Sequence, residues 1–416
     1  MYNFILEQKL AAFIAALLLA LCACAIAGGR LTLWWRGILY SYMPSLAAAF
    51  YATAFFADAA PFAGDLAAGL LFEFTVLVLF YRQFRLLRRD LETVSRQSVT
   101  KALGRTMVVQ VICAVPLIAA GGFGIFSDES RIGYLYTGSL PKYFTYASFL
   151  ATTAQVALLA ALVSTSGRLG SRGWSVILLN FAISVTSGSK GAVFLWLASI
   201  ASLIDYRRAR IPAYKLFGAL AIGIGAFLVS SLAVAQFFDL DFDVFLDVAF
   251  SRFFLNNDAR ALAFDLRNWH SASYSMFSES FRSLGNLLGI PPRNDPLGVQ
   301  LYGEAFAIEN GNGANASFMA LGTYYFPAGY AFIPAVLGII GILGVAQLAG
   351  MTSSLLHRPV QRVIVRSIWL VCLALYTQDF LAFQVLLPLA ILTILIFRFR
   401  NFAVHGTSTK LPQGSA

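Results

Sequence analysis

Charge is what this chain of 416 residues has least of: Asp, Glu, Lys and Arg make up 12% of it, and it carries three histidines. Hydrophobic residues supply 59% and the mean hydropathy is +0.73. So little charge excludes a soluble globular protein and points to a polytopic membrane chain. Cysteine is also scarce. Cys22, Cys24, Cys113 and Cys372 all lie in apolar runs, which excludes a disulfide framework and offers no metal cluster. No Walker loop, GxSxG elbow, HExxH pair or internal repeat occurs, so the familiar soluble chemistries have no motif to rest on. The first hydrophobic run lacks a basic n-region and a clear cleavage site, and reads as a retained span rather than a removed signal.

The charge that is present is unevenly placed. The net charge is +10, and 21 of the 30 Lys and Arg fall in short loops near residues 30–36, 82–105, 168–172, 207–215, 358–366 and 398–410. The positive-inside bias makes these loops cytoplasmic, so the charge records topology rather than a nucleic-acid footprint. Between them lie apolar runs at 10–27, 38–56, 62–80, 107–126, 143–164, 175–187, 190–204, 216–236, 318–348, 363–379 and 381–397. At about 20 residues per span this predicts about eleven crossings, with the N-terminus outside. The chain divides into N-terminal spans (1–236), a large outer loop (237–317), and C-terminal spans with a cytoplasmic tail (318–416). The whole is one all-α membrane domain with no separate soluble unit.

The one long interruption, residues 239–315, holds ten acids and five arginines. Within it Arg252, Asn256, Arg260, Arg267 and His270 recur at helical spacing. At about 100° per residue they fall at roughly 0°, 40°, 80°, 60° and 0°, while Asp258 and Asp265 point to the far side. A helix here would present a basic stripe. The preceding Asp239, Asp241 and Asp243 alternate with apolar residues and form an acidic rim, not an EF-hand, because the downstream Gly and Glu are missing. After a break at 271–275 comes an apolar-polar segment, 277–288, with Glu279 and Arg282. Pro291, Pro292 and Pro296 bar a helix over 291–296, and the Asn- and Gly-rich 309–315 is a flexible lead-in to the next span. The stretch reads as a helical cap on the outer side.

Two smaller features face the same side. The turn Thr186-Ser187-Gly188-Ser189-Lys190-Gly191 joins two short apolar runs. Lys190 there is either a cavity residue needing an anionic partner or a lysine snorkelling to the interface. The loop 127–142 carries Asp128, Glu129, Arg131 and Lys142 among tyrosines. An interfacial aromatic belt explains those tyrosines without a ligand, and sugar stacking is the alternative. Outward arginines beside a bilayer suit a lipid diphosphate, which guanidinium grips through paired charge-assisted hydrogen bonds. The competing reading pairs the stripe with the stretch's own carboxylates, which leave it a net charge of about −5.

Two pieces resemble the O-antigen polymerase (Wzy-type) family of oligosaccharide repeat-unit polymerases. Ser187-Gly188-Ser189-Lys190-Gly191 followed by apolar 192–200 is similar to the family's Ser-Arg-Gly start of a span, with Lys190 in place of the commoner Arg. Asn315-Ala316-Ser317-Phe318 through Gly322, Gly329, Gly338 and Gly341 is similar to the span after the family's large periplasmic loop. The resemblance implies a GT-C-like glycosyltransferase of the bacterial inner membrane, with neither metal nor nucleotide-sugar cofactor. Such an enzyme moves a growing glycan from undecaprenyl diphosphate onto an incoming lipid-linked repeat unit, alongside a flippase and a chain-length regulator. On this reading Arg252 and Arg260, with Lys190, hold the diphosphate. Arg267, Arg282 and Arg131 contact phosphate or glycan, and His270 is the base, with Asp258 and Glu279 as alternatives. Two other readings stay open. An O-antigen ligase shares the layout, although the His-Asn pair expected at the end of its loop is replaced by Gly313-Ala314-Asn315. A lipid-linked-oligosaccharide flippase would carry charges within its helices and related halves.

Overall fold

The computed structural model describes residues 60–119, 140–166, 169–186, 295–306, 316–327, 332–378 and 380–406, with Tyr330 and single positions between 263 and 290. Among these residues the regular structure is helical and no strand occurs. The helices are α1 (Ala60–Thr93), α2 (Arg96–Ala119), α3 (Leu140–Ser166), α4 (Gly170–Thr186), α5 (Leu297–Phe306), α6 (Phe318–Tyr325), α7 (Phe332–Ser354), α8 (Pro359–Gln378) and α9 (Phe380–Gly406). Four stretches among the described residues are long and apolar enough to cross a membrane: Arg96–Val115, Tyr143–Ser166, Phe332–Ser354 and Pro359–Tyr376. A shorter apolar helix runs over Ala382–Phe397. The described residues are thus all-helical, with four candidate membrane spans. The spans expected at 10–27, 38–56, 190–204 and 216–236 lie outside the described residues.

Two expectations change. The basic segment 82–105 is not a loop: α1 continues through Arg89 to Thr93 and α2 begins at Arg96. The reason is periodicity. Phe72, Val76, Phe80, Phe84, Leu87, Leu91 and Val94 recur every three or four residues and are buried, while Arg82, Arg85, Arg88 and Arg89 are exposed. Arginine is a good helix former, so an apolar stripe carries the helix on past its hydrophobic run. The chain breaks only at Val94-Ser95, where the Ser95 hydroxyl oxygen accepts the Ser98 N–H at 3.3 Å and so caps α2.

The second change is in 318–348, expected as one span. It is split into α6 and α7. Ser317 caps α6 by accepting the Ala320 N–H at 3.0 Å, and α6 ends where the Phe326 N–H donates to the Gly322 carbonyl at 3.1 Å. Pro327 follows, with no N–H to continue the ladder. The two pieces then pack closely because Gly322 lies against Pro334, leaving no room for a Cβ.

The core forms where α8 packs against α1, α3 and α7. Trp369 is fully buried there and donates its indole N–H to the Thr352 hydroxyl at 3.0 Å. Phe72, Phe318, Tyr376, Phe380 and Phe383 form one aromatic knot, with Phe318–Phe380 centroids 5.1 Å apart edge-on and Phe318–Tyr376 5.5 Å apart stacked. Such offset and edge contacts suit the ring quadrupoles. Gly338 lies beneath Phe72 and Phe318, so the backbone of α7 can approach the knot. The turn between α3 and α4 passes through Gly170 at φ 64°, a conformation that a side chain would strain.

The helices give the bundle two chemically different ends. Asp90 near the end of α1 meets Arg362 and Arg366 near the start of α8, whereas Phe72 meets Tyr376 near the end of α8. The two helices are therefore antiparallel. Arg172 at the start of α4 donates to the Thr100 carbonyl at the start of α2 at 3.4 Å, so these basic termini share the same end. At the other end the Phe380 N–H donates to the Ala316 carbonyl at 3.0 Å. There too Gln384 on α9 donates to the Glu279 carbonyl at 3.0 Å. The described part of the polar stretch thus attaches at the end opposite the basic termini.

Candidate functional site

The polar stretch is tied down by two charged side chains. Glu279 and Arg282 are both helical and stand three residues apart, a spacing that puts them on one face. The Arg282 Nε donates to Glu279 Oε2 at 2.8 Å, with the side chains only 4% and 6% exposed. The second carboxylate oxygen accepts the Leu297 N–H at 3.0 Å. That N–H opens α5, where the first amides have no partner inside the helix and the helix dipole favours a negative charge. Arg282 Nη2 donates to the Asp295 carbonyl at 2.9 Å, and the Gln300 side chain donates to the same carbonyl. Burying two charges is costly unless each is paired and its remaining valences are bonded. Here both carboxylate oxygens are engaged, and the guanidinium serves a carboxylate and a carbonyl at once.

A second charged group sits at the basic end. Asp90 receives Arg362 Nε at 3.0 Å on one oxygen and Arg366 Nε on the other. Arg362 Nη1 also donates to the Leu356 carbonyl at 3.1 Å, which ties down the link between α7 and α8. One carboxylate with two guanidiniums leaves a local charge of about +1. Deeper between α2, α3 and α4 lies an uncharged polar cluster. Gln110 Nε2 donates to the Thr152 hydroxyl and to Asn180 Oδ1, both at 2.8 Å, and Gln155 Nε2 donates to Gln110 Oε1 at 2.9 Å. Gln110 and Gln155 are fully buried. Amides joined in this way hold helices together where neither water nor charge is at hand.

Comparison with protein-family models, curated proteins and solved structures gives no match to this chain. What the site can do is therefore read from its residues alone.

Of the residues singled out in the sequence, Arg282 is described, in the pair with Glu279. Arg131, Lys190, Arg252, Asp258, Arg260, Arg267 and His270 lie outside the described residues. Among the described residues no group of three or more His, Cys, Asp or Glu is placed to hold a metal ion. Cys113 and Cys372 are free thiols buried in α2 and α8. Asp90, Gln110, Gln155, Asn180 and Gln384 carry no weight in the sequence reading and yet hold elements together. Their signal was a polar side chain inside an apolar run, or an acid among arginines. Which partner each would find was not legible.

Proposed function

We propose that this protein polymerises lipid-linked oligosaccharide repeat units, as a GT-C-like membrane glycosyltransferase with about eleven spans, at the periplasmic face of a bacterial inner membrane. The observation that carries this reading is the attachment of the described part of the polar stretch at the bundle end opposite the basic termini. If basic termini face the cytoplasm, the stretch that carries Arg252, Arg260 and Arg267 in the sequence would belong to the other side, where a lipid diphosphate would present its phosphates. The reaction needs charge stabilisation on the departing diphosphate, alignment of two large lipid-linked substrates, and a group to take the proton of the acceptor hydroxyl. Arg252 and Arg260, with Lys190, are the proposed diphosphate ligands. Arg267 and Arg131 are further contacts, and His270 is the base. No metal or nucleotide sugar enters the scheme.

Deletion of the gene separates the readings through surface glycan. A polymerase mutant carries single repeat units, a ligase mutant accumulates polymer that is not attached to lipid A core, and a flippase mutant traps repeat units inside. Within the polymerase reading, Arg260→Ala and Lys190→Ala should abolish the polymer ladder at wild-type membrane levels. Long-chain polymer from both variants would remove the diphosphate role. Wild-type laddering from His270→Ala would remove His270 from the chemistry.

A further inference from the structure

Glu279 and Arg282 are the most deeply buried ion pair described above, and their partners lie in two separate places in the chain. Besides each other, they hold the Leu297 N–H at the start of α5, the Asp295 carbonyl just before it, and, through the Glu279 carbonyl, Gln384 on α9. A guanidinium that is 4% exposed and bonded in two directions has little left to offer a ligand. A carboxylate with both oxygens occupied is equally poorly placed to take a proton from a hydroxyl. The geometry points to a different role. We propose that Glu279 and Arg282 are positioning residues, a buried ionic clasp that sets the register of the polar stretch against α9 and fixes where α5 starts, without touching substrate. As a statement about activity this rests on the polymerase reading; as a statement about structure it does not.

The direction of each bond matters more than the charge alone. Oε1 of Glu279 aims at a helix N-terminus and Nη2 of Arg282 at a carbonyl, so an apolar pair of similar size could fill the space but could hold neither backbone group. That distinction makes the clasp testable. Single substitutions such as Glu279→Ala strand a buried charge and could simply unfold the protein. The informative variant is the double substitution Glu279→Met with Arg282→Leu, with Glu279→Gln plus Arg282→Leu as its companion, because Gln keeps an acceptor for the Leu297 N–H and no charge is stranded.

The full-length protein in lipid nanodiscs is followed by hydrogen exchange, with the amides of α5 compared with those of α3 and α8. In the double variant, exchange in α5 should rise on the order of tenfold while α3 and α8 stay protected, and its Gln-bearing companion should fall between it and wild type. The polymer ladder should be lost in the double variant at wild-type protein levels. Retained α5 protection in the double variant would overturn the clasp, since the pair would then be replaceable packing. Raised exchange with an unchanged ladder would overturn its positioning role. A deletion strain with full-length polymer would remove the polymerase reading instead, and the exchange arm would still decide the clasp.

Discussion

Asp90 shows how much can hang on one carboxylate. It is 11% exposed and is the shared counter-ion of Arg362 and Arg366, two residues more than 270 positions away in the chain. Removing it leaves two guanidiniums facing each other in a partly buried site. Asp90→Ala is expected to destabilise the protein by about 3 kcal/mol, the lower end of what breaking a buried pair costs. The lower end applies because Arg362 is still 26% exposed to solvent. Thermal unfolding in mild detergent, with Asp90→Asn as an intermediate case, measures this. Reading the sequence at this scale gave Glu279 and Arg282 to substrate chemistry, as an alternative base and a phosphate or glycan contact, and of their pairing only the three-residue spacing was legible. The further partners were not, because Leu297 and Gln384 are separated from Glu279 by lengths of chain that no local pattern connects. Asp90 was hidden for a similar reason: among Arg88, Arg89 and Arg96 it reads as one acid in a basic segment.

At the scale of elements, small residues and amides decide how closely the helices approach. Gly322 sits under Pro334 at the crossing of α6 and α7, so Gly322→Ala must push the two apart. The expected loss is about 1–3 kcal/mol, as for overpacking a filled core, and would show as a lowered unfolding temperature at unchanged helix content. Gly344, with open space around it, should accept alanine with little change. Gln110 is the hub of the bonds between α2, α3 and α4, and Gln110→Leu should cost about 1 kcal/mol, the range found for hydrogen bonds between membrane helices. Element existence was largely legible here. The apolar runs 107–126, 143–164, 363–379 and 381–397 overlap α2, α3, α8 and α9. Element ends were not: hydropathy falls where arginines begin, but a buried face at helical period carries α1 eleven positions past Arg82, to Thr93. Within 318–348 hydropathy stays high across Phe326-Pro327, although the backbone cannot continue there.

For the whole molecule, composition fixed the class, a helical membrane protein, and the loop charges gave an orientation. The contacts of Asp90 with Arg362 and of Arg172 with Thr100 now gather three of those basic segments, 82–105, 168–172 and 358–366, at one end. Single-cysteine labelling with a membrane-impermeant reagent tests the orientation. A cysteine at Arg85 should label only after the cytoplasmic side is opened, and one at Glu304 should label in intact cells whose outer membrane has been made permeable. Both positions are exposed. Labelling of both from the same side would contradict the two-ended arrangement. The arrangement itself could not be read in advance, because it depends on helix pairs such as α1 with α8 that meet across most of the chain's length.

The antiparallel pair α1 and α8 is fastened twice, by charge at Asp90 and by rings at Phe72 and Tyr376. Eighteen residues of helix separate Asp90 from Phe72, a rise of about 27 Å, and the exposed Arg82, Arg85, Arg88 and Arg89 crowd the Asp90 half of that length. One fastening therefore sits among charges and the other among apolar rings, and salt can reach only the first. As salt is added, hydrogen exchange along α8 should rise near Arg362 before it rises near Tyr376.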